Sequence, residues 1–252
     1  MRKKSISKTN CLFYNVKIFC VIIITLVSFF TGSINSNALS YGFETIDLSE
    51  ANKESIWENI NLTNYDDFDV EKNSLPIVSF DVSASDNIVL GLQNNKILIF
   101  DNNNDLLKCF EFTNDGTFYV KWNDENILLF MSRGTIVVEF SLDGSLVNMI
   151  ETDTKSVNNN KLWNDVMDNT RVSINGYNYE LKNDLGILNL FTFQSFSQLI
   201  RTDKSGASTV IYDVNQEQLV KIISSITLAV LIACVCLVMV RHRIIELRNK
   251  NH

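Results

Sequence analysis

Asp101, Asn103 and Asp105 stand at alternate positions in the run Asp101-Asn102-Asn103-Asn104-Asp105. That D-x-N-x-D spacing brings oxygen ligands around calcium. The rest of a calcium loop does not follow, since Leu106 stands where the turn glycine belongs and Phe112 where a closing bidentate Glu belongs. These three residues are the metal candidates, and a polar hairpin turn is the expected structure. Asp66, Asp67, Asp69 and Glu71 supply a second kind of chemistry, because two carboxylates about 5–9 Å apart across a cleft hydrolyse glycosidic bonds. Their spacing along the chain does not by itself create such a pair, and a solvated acidic linker is the plainer expectation.

Other chemistry is excluded by residue inventory. Both histidines, His242 and His252, lie in the last dozen residues, so the long central region has no imidazole for a nucleophile's base or for most zinc sites. Of five cysteines, Cys109 alone is central, and no disulfide can form within that region. A Gly-rich phosphate loop is missing from the sequence. Ser85-Asp86-Asn87, Lys204-Ser205-Gly206 and Ser5-Ile6-Ser7-Lys8 are similar to three motifs of serine penicillin-recognising enzymes. The order and setting break the match, because the Ser5 motif lies in an N-terminal leader. Trp57, Trp122 and Trp163 offer either a glycan platform or core packing, and burial is the commoner use of indole. No cofactor is expected, and no catalytic set emerges.

The elements that must position these residues are sorted by charge. The first 38 residues carry five basic groups and no acid, residues 221–252 sum to +4, and the overall charge of −7 leaves −16 for the middle. An acidic middle repels polyanions, which excludes a nucleic-acid partner. Residues 1–38 read as a signal peptide: a basic start, the apolar run Ile18 to Phe30, then Ser36 and Ala38 at the −3 and −1 positions of a cleavage site. Ile222 to Val240 holds no charge and lies between Lys221 and Arg241. Its 19 residues rise about 28 Å as a helix, close to the hydrocarbon thickness of a bilayer. Residues 221–241 are thus the expected transmembrane helix, on which Ser225, Ala229 and Ala233 share one face and are the candidates for helix pairing. The basic tail, 242–252, is expected on the cytoplasmic side, leaving residues 39–220 extracytoplasmic.

Within 39–220 a repeat appears after Pro76. Residues 79–112 align with 118–150, Asp86-Asn87-Ile88 falling on Glu125-Asn126-Ile127, and each unit reads as four short strands separated by polar turns. Ile88-Val89-Leu90 and Ile97-Leu98-Ile99-Phe100 are apolar at consecutive positions, so both faces of that sheet should be covered. A degenerate third unit, 170–214, holds two hairpins, one around Asn175-Gly176, a pair suited to a type I′ turn. ANKESIWENI and KLWNDVM suggest short helical pieces.

A four-stranded antiparallel unit of about 40 residues, packed between like units, resembles a β-propeller blade of the WD-type repeat class, without its GH…WD signature. The expected fold is all-β, with antiparallel four-stranded units in a propeller-like arrangement, small or incomplete, plus one C-terminal transmembrane helix. The 182 residues of the region leave room for about four such units. The expected protein is a single-pass type I cell-membrane protein whose exported domain recognises a ligand or a protein, or associates with itself, without catalysis. An accessory subunit of a membrane complex and a surface glycan hydrolase with paired carboxylates are the alternatives.

Overall fold

The structure, a computed structural model, describes residues 39–65, 75–192 and 195–250, and the side chains among them except those of 39–40 and 242–250. Ser36, Ala38, Asp66, Asp67, Asp69 and Glu71 lie outside the described residues. All the described residues but Leu39 fall in one compact unit, Ser40–His252, the second of the two into which the chain divides.

Three antiparallel sheets form the core of the second unit. The first consists of β4 (Ile77–Val82), β5 (Ile88–Leu92), β6 (Lys96–Phe100) and β7 (Leu106–Glu111) in sequential order, with β3 (Thr63–Asn64) added outside β7. The second consists of β8 (Phe118–Asn123), β9 (Asn126–Met131), β10 (Ile136–Phe140) and β11 (Leu146–Thr152), with β1 (Leu39–Ser40) and β2 (Phe43–Ile46) added outside β11. The third is β12 (Arg171–Ile174), β13 (Tyr177–Lys182), β14 (Gln198–Thr202) and β15 (Ser208–Asp213). The fold is all-β and propeller-like, with three blade-like meanders. Space for a fourth is taken up differently: residues 39–65 form short outer strands and helix α1 (Glu50–Ile60), and 157–167 form helix α2 (Val157–Met167).

Strand periodicity explains the stacking. In the first sheet Val89, Ile97, Ile99 and Phe110 point to one side and pack with Phe118, Val120, Ile127, Leu129, Val138 and Phe140 of the second. Ile88, Leu90, Leu98 and Phe100 point to the other side and meet Tyr179, Leu181, Leu199 and Tyr212 of the third. A sheet covered on both faces needs apolar residues at every position, which is what the consecutive runs encode. The far face of the second sheet is sealed by Phe43 and by Trp163 of α2, whose indole sits edge-on to Phe130 and donates from Nε1 to Thr152 Oγ1 at 3.0 Å. Asn159 holds α2 in place, with Oδ1 accepting from Glu44 N (2.8 Å) and Nδ2 donating to Glu44 O (2.7 Å).

Five-residue turns recur along the sheets. Asp101–Asp105, Ser141–Ser145 and Asp203–Ala207 each close with the first residue's N–H on the fifth residue's carbonyl, and each has positive φ at the fourth, Asn104, Gly144 or Gly206. Ser83–Asn87 repeats the pattern in the first sheet, with Asp86 at positive φ. The hairpin at Asn175 and Gly176 has positive φ at both residues (51° and 85°), as a type I′ turn requires.

The first two sheets are joined by side chains as well as by apolar contact. β8 is an edge strand, and its outward amides would otherwise lie buried and unpaired. Ser79 Oγ accepts from Val120 N at 3.0 Å, and Asp81 Oδ2 accepts from Trp122 N at 2.9 Å. Gly91 permits this approach, since a Cβ there would lie 2.6 Å from Ser79 Oγ and 2.9 Å from a ring carbon of Phe118.

The third sheet leads directly into α3 (Asn215–Lys250). Asn215 N donates to Asp213 Oδ1 at 2.9 Å, and both Val214 and Gln218 are buried against the sheets. Residues 215–241 are long and apolar enough to cross a membrane, and their most apolar stretch is nowhere buried in the protein.

Three substitutions at two positions test the joint. Asp81→Ala orphans the Trp122 amide and should cost about 1–3 kcal/mol in chemical denaturation of the detergent-solubilised chain, whereas Asp81→Asn keeps an acceptor there. Burial pushes the Asp81 carboxyl above the ordinary 3.8, although hydrogen bonds from Trp122 and Val82 work against it. A raised folded value makes the Asp81 contribution largest below 3.8, and it is lost as pH rises through the raised value. The stability of Asp81→Asn relative to the unaltered chain should therefore improve from pH 3 to pH 7. Gly91→Ala should cost about 1–3 kcal/mol through overpacking in the same assay.

Candidate functional site

Among the described residues two carboxylates are buried, Asp81 and Glu139. Each would be a reagent if it were free, and neither is. Asp81 accepts the Trp122 amide, as above. Glu139, on β10, accepts from Asn123 Nδ2 and Asn126 Nδ2 on Oε1, both at 2.9 Å, and from Tyr41 Oη on Oε2 at 2.5 Å. Asn148 Nδ2 in turn donates to Tyr41 Oη at 2.9 Å. Burial pushes the Glu139 carboxyl up, but the hydrogen bonds from Tyr41, Asn126 and Asn123 together hold it below the ordinary 4.5. A carboxylate kept ionised with both oxygens occupied is suited to fastening the segment at Tyr41 onto the second sheet, and unsuited to protonating a leaving group. A 420 Å³ cavity lies beside it, lined in part by Tyr41, Asn123, Leu162, Asp165 and Asn169.

A cleft of 470 Å³ is formed at one end of the first two sheets. Its rim comes from the β5–β6 turn, where Asn94 and Asn95 both have positive φ (64° and 57°), which suits Asn. Asn95 Nδ2 donates to Asn114 O (2.9 Å) and Asn114 Nδ2 to Gly116 O (2.7 Å), which orders the strand-entry segment Gly116–Thr117 on the opposite side. Val78, Phe118 and Phe196 supply the apolar floor, and Met167, Asp168 and Thr170, where α2 ends, supply the remaining wall. The last carbonyls of a helix carry partial negative charge, so Asp168 and the helix end favour a cation or a hydrogen-bond donor. The cleft thus has an apolar base, amide and hydroxyl side chains around it, and a mildly negative edge. Such a composition is suited to binding, and its lining residues include no nucleophile with an activating base.

Other candidates fall in separate places. Asp101 turns its carboxylate onto its own hairpin, with Oδ1 accepting from Asn103 N (2.9 Å) and Asp105 N (2.8 Å) and Oδ2 from Asn103 Nδ2 (3.3 Å). The hydrogen bond from the Asp105 backbone leads in holding that carboxyl below the usual range. Asp143 and Asp203 are held low in the matching turns, chiefly by Ser141 and Ser205. Among the described residues no three His, Cys, Asp or Glu side chains gather at metal-binding range. Trp122 packs between the first two sheets and Trp163 on the far face of the second, while Trp57 lies against the former cluster, so the three indoles build no common platform. Cys109 is buried, and burial pushes its thiol up to about 11. Ser225, Ala229 and Ala233 lie in α3, where Ser225 Oγ donates to Lys221 O at 2.8 Å. Ser79, Asp81, Glu139 and the cleft carry no sequence motif. The only hints were single acids within otherwise apolar strands, FDV and VVEF.

No protein-family profile and no curated protein sequence matches the chain. Among solved structures it is similar to BamB from Moraxella catarrhalis, at 10% identity over 53% of this chain and 52% of that one, with a TM-score of 0.27. It is also similar to a protein of unknown function from Bacteroides caccae, at 13% identity over 57% and 51%, with a TM-score of 0.25. The chain spans about half the length of each, and likeness this remote adds nothing to what the strands themselves show.

The Glu139 network gives a pH signature opposite to that of Asp81. A lowered folded value contributes stability above the ordinary 4.5 that is lost as pH falls through the lowered value. Glu139→Gln should therefore destabilise the chain more at pH 7 than at pH 3, as read from denaturation midpoints at the two pH values.

Proposed function

We propose that this chain is a membrane-anchored recognition protein: an extracytoplasmic, propeller-like β domain that binds a partner without transforming it, held by α3 as a single membrane span. The observation that carries the reading is the use of both buried carboxylates as acceptors for the fold's own donors, beside a cleft of mixed apolar and amide character. Gln93 borders that cleft and also a smaller one formed with Lys221, Ile222, Ser225 and Ile226 of α3. The binding end of the sheets is therefore the end nearest the apolar helix, which favours a partner that is itself in or close to the membrane. This also supports the role of accessory subunit in a membrane complex, for which the Ser225, Ala229 and Ala233 face offers a second contact within the bilayer.

Two measurements test the proposal. Protease added to intact cells should cleave residues 39–220 and leave the tail protected; the reverse pattern removes the proposed topology. A photo-crosslinking amino acid at Thr117 or Met167, on the cleft, should give a discrete product in intact cells, and the same group at exposed Val147 of β11 should give none. Equal products at all three positions, or purified protein that hydrolyses glycans and loses that activity on one Asp or Glu substitution, would replace this reading.

A further inference from the structure

Between β13 and β14 the segment Gly186–Phe191 forms a short 3₁₀ turn of sequence GILNLF. Ile187, Leu190 and Phe191 are 83%, 73% and 58% exposed. Three adjacent side chains of this size in water are costly, and residues three apart in a 3₁₀ turn stand on one edge. The turn is not loosely held. Asn189 Oδ1 accepts from Leu185 N (3.0 Å), and its Nδ2 donates to Asn183 O (3.2 Å). Asn183 Nδ2 donates to Thr192 Oγ1 and Ser195 O, both at 2.9 Å, and Asn183 Oδ1 accepts from Ser197 N at 2.7 Å. Asp184 N reaches Asn215 Oδ1 at 3.3 Å, which ties the turn to the start of α3. The polar side chains thus bond to the turn's own backbone and fix it, while the apolar side chains face out.

The position of the turn identifies what those side chains meet. Phe191 lines a 380 Å³ cleft with Lys221, Ile222, Ser225 and Ile226. The last three belong to the first turns of the uncharged run Ile222 to Val240. Phe191 therefore stands level with the entry of the apolar helix into hydrocarbon, and Lys221 stands where a headgroup phosphate would be. We propose that Ile187, Leu190 and Phe191 form a wedge that enters the interfacial layer of the phospholipid bilayer beside α3, giving the β domain a second membrane contact that fixes its tilt. This rests on the reading of α3 as a membrane span. The wedge exploits the same physics as an interfacial amphipathic helix, with apolar side chains below the headgroups and a satisfied polar scaffold above.

The test uses the full chain in phosphatidylcholine nanodiscs whose acyl chains are brominated near the glycerol end, a short-range quencher of indole emission. Leu190→Trp, repeated as Ile187→Trp, is compared with the unaltered chain, so that the three native indoles form the baseline. Asn102→Trp is the control outside the bilayer, because β6 runs away from the Gln93 end toward the Asp101 turn, about 17 Å along a strand. Leu231→Trp, at the middle of the run and about 14 Å from its entry, is the control for the span and is read in nanodiscs brominated near the acyl-chain ends instead. The emission added by Leu190→Trp and Ile187→Trp should be quenched at least twofold more than that added by Asn102→Trp. If Leu231→Trp is quenched but both wedge variants match Asn102→Trp, the wedge is overturned and the span stands. If Leu231→Trp is also unquenched, the span reading fails and the wedge fails with it.

Discussion

The sheet stack depends on how one edge strand is finished. β8 begins the second sheet and has no strand on its outer side, yet it lies deep between two sheets where water does not reach its amides. Ser79 and Asp81, two residues apart on β4, meet the amides of Val120 and Trp122, two residues apart on β8. The strand period of two makes this match possible, because alternate side chains face one way and alternate amides face the open edge. A third strand inserted there would give the same hydrogen bonds but would push the sheets apart. Short polar side chains pair the edge and leave room for the Val89, Ile99, Phe118 and Val120 packing that surrounds them.

This arrangement also accounts for how the two buried carboxylates among the described residues are used. A buried carboxylate is often the sign of a catalytic group, since desolvation shifts its affinity for protons. Asp81 and Glu139 are shifted in opposite directions, which in a shared cleft would suggest an acid and a base. They are instead separate fasteners, Asp81 joining the first and second sheets and Glu139 holding the Tyr41 segment to the second. The cleft left for other molecules is lined by Asn, Gln, Thr, Phe and Met, with Asp168 at the helix end.

Much of the fold was legible because burial on both faces leaves a plain trace: NIVLGL and KILIF cannot be half-exposed strands, and the alignment of 79–112 with 118–150 marked two sheets. The third sheet was fainter, since Tyr179, Leu181, Leu199 and Tyr212 are its buried core residues, while Val172, Ile174, Tyr177 and Ile211 pack against them only partly covered. Residues 157–167 suggested no more than a helical turn. Asn-rich sequence has low helix propensity, and the eleven-residue α2 is held by Ser156 at its N-cap, by Asn159 reaching Glu44, and by Trp163 packing on Phe43 and Phe130. Two-residue strands such as β3 carry no period at all, whereas SYGFETIDL, which contains β2, alternates like a strand. The Asp81 contact was invisible for a different reason: its meaning lies in an amide 41 residues away.

One junction has a mechanical consequence. Between the last residue of β15, Asp213, and the first of α3, Asn215, stands only Val214, and it is buried; Gln218, inside the helix, is buried too. Sheet and helix are thus coupled like a key and its shaft, with no slack to absorb torsion. Adding one residue to the shaft below the junction would raise the sheets by about 1.5 Å but rotate them by about 100°. The azimuth of the cleft about the helix axis is set by helical phase, and anything that twists the far end of the helix re-aims the cleft.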